Sequence, residues 1–187
     1  MPKHPSIRRL IPGCLALALL AAVPLLLPAG PASAQAETEA LPEELQEVLR
    51  LELEGRKVDA FLKLKDMAPR GDPEAQYRLA GYYHYGYAGP ADFKLALDWY
   101  ERAARQGHPD AMLGIGVLNS QENIRIPQNK PRAFTWLTIA ATLLKNPSEV
   151  KVVEGLRDRL KSELTSAELN VALAEAMAYQ PVQEQPQ

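Results

Sequence analysis

The chain has 187 residues, with 21 Lys and Arg against 23 Asp and Glu, three histidines and one cysteine. A formal charge of −2 excludes the strongly basic surface on which nucleic-acid affinity depends, since that affinity comes largely from phosphate neutralisation. With Cys14 alone, a disulfide framework is excluded as well.

The first 34 residues read as an export leader. Lys3, Arg8 and Arg9 form a basic start, and an apolar run extends from Leu15 to Leu27. Pro28, Gly30 and Pro31 then break it before Ala32-Ser33-Ala34, whose small side chains suit a peptidase that needs an uncrowded cleavage site. Cleavage after Ala34 leaves 153 residues at a charge of −5, because the leader holds three basic residues and no acid. That length supports one domain with a real core. Cys14 departs with the leader, so packing alone must hold an exported, periplasmic or secreted domain together. In the competing reading the uncharged stretch from Leu10 to Ala36, 27 residues, stays as a membrane anchor, although Pro24 and Pro28 interrupt it.

Residues 35–40 are expected to be a mobile linker, and 41–179 a single helical domain. Apolar residues there fall three and four apart, with Gly and Pro between segments, as amphipathic helices require. The spacing predicts an acidic helix over Leu41–Glu54 carrying Leu45, Val48 and Leu49, with Glu43, Glu44, Glu47, Glu52 and Glu54 on a solvated face. A second helix, Asp59–Ala68, completes a first hairpin.

From there the chain repeats itself. A shift of 36 carries Gly71, Pro73, Ala75 and Leu79 onto Gly107, Pro109, Ala111 and Ile115. A shift of 37 carries Asp92, Ala96, Trp99, Ala103 and Ala104 onto Asn129, Ala133, Trp136, Ala140 and Ala141. Two units, about 71–106 and 107–145, therefore follow a partial one. Within each, alanines let two helix axes approach while the tryptophan fills the wider gap beside them. Gly71 and Gly107 suit a left-handed helix end, the prolines a first turn, and Asp92 and Asn129 N-caps. One such hairpin cannot cover its own apolar face, so the units must stack. After residue 147, cap helices are expected at Ser148–Lys161 and, behind the capping box Thr165-Ser166-Ala167-Glu168, up to Ala178. Residues 180–187 read as a polar, mobile tail.

The stretch Gly71–Ala111 resembles the Sel-one-like repeat, a tetratricopeptide-type helical hairpin. The resemblance rests on Gly71, Ala75, Leu79, Tyr83, Gly86, Asp92, Ala96, Trp99, Tyr100, Ala103, Ala104 and Gly107. Ala80, Leu95 and Ala88-Gly89 depart from the family pattern. The second unit keeps Gly116, Ala133, Trp136, Ala140 and Ala141, but has Asn119 for the tyrosine, Glu122 for the turn glycine and Leu137 for the second aromatic. The resemblance implies an all-α short solenoid of stacked hairpins that serves as an interaction scaffold, here for a protein or peptide partner in the cell envelope, and acts as a monomer. A cysteine-rich branch of the family is linked to β-lactam binding or hydrolysis, and the cysteine-free domain departs from that branch. A binder or hydrolase of wall fragments remains the alternative.

No catalytic motif is present: no Gly-x-Ser-x-Gly, His-Glu-x-x-His, phosphate loop or cysteine nucleophile. Gly114-Ile115-Gly116 reads as close helix packing. His84 and His108 lie at no metal-ligand spacing, and neither metal nor cofactor is expected. In "GYYHYGYAGPAD", Tyr83, Gly86 and Asp92 belong to the repeat as packing, turn and cap. Tyr82, His84, Tyr85 and Tyr87 are left over, with Arg78 one turn away. Tyr82 and Tyr85 lie off the Ala75-Leu79-Tyr83 stripe and are expected to be exposed partner anchors. Trp99 is expected to be buried, at a cost of roughly 3–5 kcal/mol for Trp99→Ala.

Overall fold

The computed structural model describes residues 41–122, 126–182 and 184. The expected leader, its cleavage site and the 35–40 linker lie outside the described residues. Among those described are eight α-helices: α1 (Glu43–Leu53), α2 (Lys57–Met67), α3 (Pro73–Tyr85), α4 (Phe93–Arg105), α5 (Pro109–Ser120), α6 (Lys130–Leu143), α7 (Pro147–Glu163) and α8 (Ser166–Ala178), with a 3-10 turn at Ala68–Arg70. The helices stack in chain order as hairpins α1–α2, α3–α4 and α5–α6, and α7 and α8 both close the stack against α6.

The alanine frame is what lets the axes approach. Ala60, Ala68, Ala75, Ala96, Ala103, Ala104, Ala111, Ala133 and Ala140 are fully buried. Glycine extends the principle: a Cβ on Gly116 would sit 2.5 Å from Leu137 Cγ, and one on Gly114 2.9 Å from the Tyr100 ring. Two apolar cores result. One is built on α1–α3 and the other on α4–α8, and Tyr83 and Trp99 pack against both.

The repeat recurs in its hydrogen bonds. Asp92 accepts from the amides of Lys94 and Leu95, and Asn129 from that of Arg132, so both second helices are capped as their sequences require. Each connector is tied back at the same place, by Asp92 N–H to the Tyr83 carbonyl (2.8 Å) and Asn129 N–H to the Asn119 carbonyl (2.9 Å). Gly71 and Gly107 both adopt φ 96° at helix ends. Thr165 and Glu168 form the reciprocal capping box.

Four expectations need correction. Tyr82 is buried, because Phe61 of α2 stacks on it (5.9 Å between centroids) and covers the side the Ala75-Leu79-Tyr83 stripe leaves open. Trp99 is only half-buried, with the Arg102 guanidinium over its ring at 4.4 Å; the fully buried aromatic of α4 is its neighbour Tyr100. Glu52 does not simply face solvent, since it pairs with Arg78 of the next hairpin, whereas Glu44 stays exposed beside Arg70 at the end of the first. Finally, residues 180–182 and 184 of the expected tail, the ones described, lie on the helices: Val182 N–H donates to the Arg105 carbonyl and Glu184 bonds to Gln76 and Arg102.

Candidate functional site

The first helices of the two units, α3 and α5, form a groove of about 560 Å³. Tyr100 of α4 is its floor, the α1–α2 junction (Glu52, Lys57) is one wall, and Val152 and Leu156 of α7 are the other. The walls follow from the repeat. Tyr77 and Gly81 on α3 become Leu113 and Val117 on α5 after the 36-residue shift, so both helices aim the same register at the groove.

An aromatic ladder runs through it. Tyr87 stacks on Tyr85 (5.3 Å between centroids) and Tyr85 on His84 (4.3 Å). His84 meets Tyr100 edge-on (6.0 Å), Tyr100 meets Tyr77 (6.0 Å), and Tyr77 stacks on His108 (4.6 Å). Such pairs add stability beyond their buried area and hold the rings rigid. The ladder surfaces at one end, where Tyr85 is 61% and Tyr87 47% exposed, with Lys57 Nζ 4.2 Å above the Tyr87 ring.

Arg78 draws two carboxylates together beside the groove. Arg78 donates to Glu74 (2.6 Å) and Glu52 (2.8 Å). His108 sits between two tasks: its Nδ1 accepts the Ala111 amide at the start of α5, which leaves Nε2 protonated to donate to Glu74 at 2.9 Å. Burial alone would raise the Glu74 carboxyl, but the bond from His108 and the Arg78 charge hold it below its usual range. Burial pushes the Tyr77 hydroxyl up to about 12 and raises those of Tyr82 and Tyr100, so all three stay protonated at neutral pH. The same cause lowers His84 and keeps it neutral, with Nδ1 3.3 Å from the Tyr100 hydroxyl. The groove therefore offers ring faces and neutral hydroxyls, with Glu52 paired to Arg78 and the Asp110 carboxylate also in its lining. Among the described residues no three His, Cys, Asp or Glu side chains converge as a metal-binding group, and no helix is long and apolar enough to cross a membrane.

All five residues singled out in sequence, Arg78, Tyr82, His84, Tyr85 and Tyr87, line this groove. Their roles differ: Arg78 is held in ion pairs, Tyr82 is part of the core, His84 is wedged in the ladder, and only Tyr85 and Tyr87 offer large exposed rings. Sequence reasoning missed Tyr77, Tyr100 and the α5 wall. The stripe Tyr77-Gly81-Tyr85, four apart, carried through the 36-residue shift, was the available signal. It also missed His108, which is cap, stacking partner and hydrogen-bond donor to Glu74.

Comparison with known proteins places these helices. The Sel1 repeat family model matches residues 73–108 and 109–143, the two hairpins that build the groove. No curated protein matches the chain. Among solved structures, a protective antigen present in uropathogenic Escherichia coli strains, described as displaying an SLR fold, is similar over 79% of this chain with a TM-score of 0.60 and 19% identity. The match covers 31% of that antigen's chain, so the present chain spans about a third of it.

Proposed function

We propose that this chain, which carries two Sel1 repeats at residues 73–108 and 109–143, is an interaction scaffold that holds a protein or peptide partner in its aromatic groove. The observation that carries the reading is the exposed end of the ladder. Tyr85 and Tyr87 are rigid, amphipathic rings backed by buried aromatics, and aromatic anchors of this kind dominate protein interfaces. Lys57 at the rim adds a donor for a partner carbonyl or carboxylate. The scaffold acts as an exported monomer in the cell envelope, a reading supported by the leader pattern of residues 1–34.

The wall-fragment hydrolase is the weaker reading. Asp92 is engaged in capping α4, and Glu52 and Glu74 are both bound to Arg78, which leaves Asp110 as the one unpaired carboxylate lining the groove among the described residues. The scaffold reading is tested by Tyr85→Ala with Tyr87→Ala. The double variant is expected to keep its helical signal and melting temperature while losing at least tenfold in affinity for a partner captured by the unaltered protein. Unchanged affinity refutes the groove end as the anchor.

A further inference from the structure

Away from the groove, the C-terminal segment crosses the ends of the repeat helices. Helices leave their last carbonyls without intrahelical donors, and the segment supplies them to α4. The Tyr179 hydroxyl donates to the Ala104 carbonyl (2.7 Å) and Val182 N–H to the Arg105 carbonyl (2.8 Å). The segment passes close over two of the left-handed glycines, Gly71 and Gly107. A Cβ on Gly107 would sit 3.5 Å from Pro181 Cβ, and one on Gly71 3.3 Å from the Glu184 carbonyl oxygen. Pro181 and Glu184 are three residues apart, a reach of about 10 Å in extended chain. That matches the roughly 8–10 Å between packed helices. One repeat junction is thus crossed every three residues.

Glu184 ends in a socket. Gln76, fully buried, donates one amide hydrogen to the Ala68 carbonyl (3.1 Å) and the other to Glu184 Oε2 (2.5 Å). Gln106 donates to Gly71 O and Gln76 Oε1 (both 2.9 Å), and its own oxygen accepts Glu184 N–H (3.3 Å). Arg102 donates from Nε to Glu184 Oε1 at 2.8 Å, with Nη2 in ion-pair range of the same oxygen at 2.6 Å. Its Nη2 makes no hydrogen bond of its own among the described residues. The amide capacity of Gln76 and the carboxylate of Glu184 thus satisfy each other. Burial alone would raise the Glu184 carboxyl, but the bonds from Arg102 and Gln76 hold it below its usual range.

The second unit shows that this socket is not part of the repeat frame. Carried forward by the same shifts, Gln76, Arg102 and Gln106 become Met112, Ile139 and Leu143. Polar side chains occupy these positions only where the segment presents its glutamate. Where it presents Pro181, the surroundings include Gly107, Ile139 and Leu143 together with Gln106, Thr138 and Thr142. The positions equivalent to Gln76 and Arg102 are apolar there and polar where the segment presents Glu184.

We infer that this ridge is a second binding site, specific for a Pro-x-x-Glu segment, and that the chain's own residues 179–182 and 184 occupy it in cis. A competing segment of the same chemistry enters only when the tether is displaced, because a short tether holds its ligand at an effective concentration in the millimolar range. The test uses the whole chain and a labelled synthetic peptide of residues 179–187. Glu184→Ala in the chain is expected to raise its affinity for that peptide at least tenfold over the unaltered chain and to speed hydrogen exchange at the Val182 amide. Adding Arg102→Ala should abolish the gain, as should replacing the glutamate in the peptide. Because Arg102 also covers Trp99, Gln76→Met serves as a second socket variant with the residue the other unit carries. Equal peptide binding by the unaltered and Glu184→Ala chains overturns the proposal, as does binding indifferent to both socket variants. A concentration-dependent dimer with tails exchanged between copies overturns occupation in cis.

Discussion

Beneath the groove the first unit places Tyr100 and, 37 residues on, the second places Leu137; at the connector the same pair of units places Tyr83 and Asn119. Both α4 and α6 are capped by an Asx side chain, tied back by the same backbone bond and pressed against their neighbours through alanine. The frame is therefore carried by small residues, caps and left-handed glycines, which leave the larger positions open to other uses. In the first unit those positions carry the aromatic ladder and the glutamate socket. In the second they carry core: Leu137 and Met112 are fully buried, and Asn119 spends its amide on the Ile115 carbonyl. In the proposed scaffold, recognition falls to one unit and packing to the other.

The largest effects should come from the shared floor position. Tyr100→Ala is expected to cost about 3–5 kcal/mol and Leu137→Ala about 2–5 kcal/mol in urea unfolding, as for other fully buried large side chains. Trp99→Ala, with its ring half in solvent, should cost less than either. If Trp99→Ala is the most damaging of the three, the placement of the core between the units is wrong. Caps come next. Asp92→Ala and Asn129→Ala should each lower stability by about 1 kcal/mol, and a marked inequality between them would show that the frame is not shared.

Acid should also separate the units, with a smaller effect. Glu74, on the first unit, has its carboxyl held below the usual 4.5 by His108 and Arg78, against burial. A depressed carboxyl contributes stability that is complete above its unfolded value and is lost as pH falls through the folded one. Melting temperature should therefore drop below about pH 4.5, and Glu74→Gln should flatten that drop. An unchanged acid limb in Glu74→Gln would remove the ion-pair account of the α3–α5 contact.

The repeat was legible in sequence because its signals are local: Gly, Pro, Asp and Ala at fixed offsets act within one or two turns. What lay hidden depends on neighbours from other hairpins. Tyr82 and Tyr83 differ by one step of helical phase, and both meet Phe61 of the preceding helix, which stacks on the buried Tyr82 and meets Tyr83 edge-on. The last residues, "YQPVQEQPQ", have the composition of a mobile tail, and nothing near them in sequence announces Gln76 or Arg102. The role of His108 was hidden for the same reason, since its partners Glu74 and Tyr77 lie on the preceding unit.

The division of labour between the units is tested most directly by site-specific photo-crosslinking in envelope extracts. A photoreactive side chain is placed at Tyr85, on the exposed end of the ladder, or at Gln128, exposed before α6 on the second unit. A discrete adduct is expected from position 85, and none from position 128. Equal adducts at both positions, or an adduct only at 128, would contradict a scaffold whose first unit does the recognising.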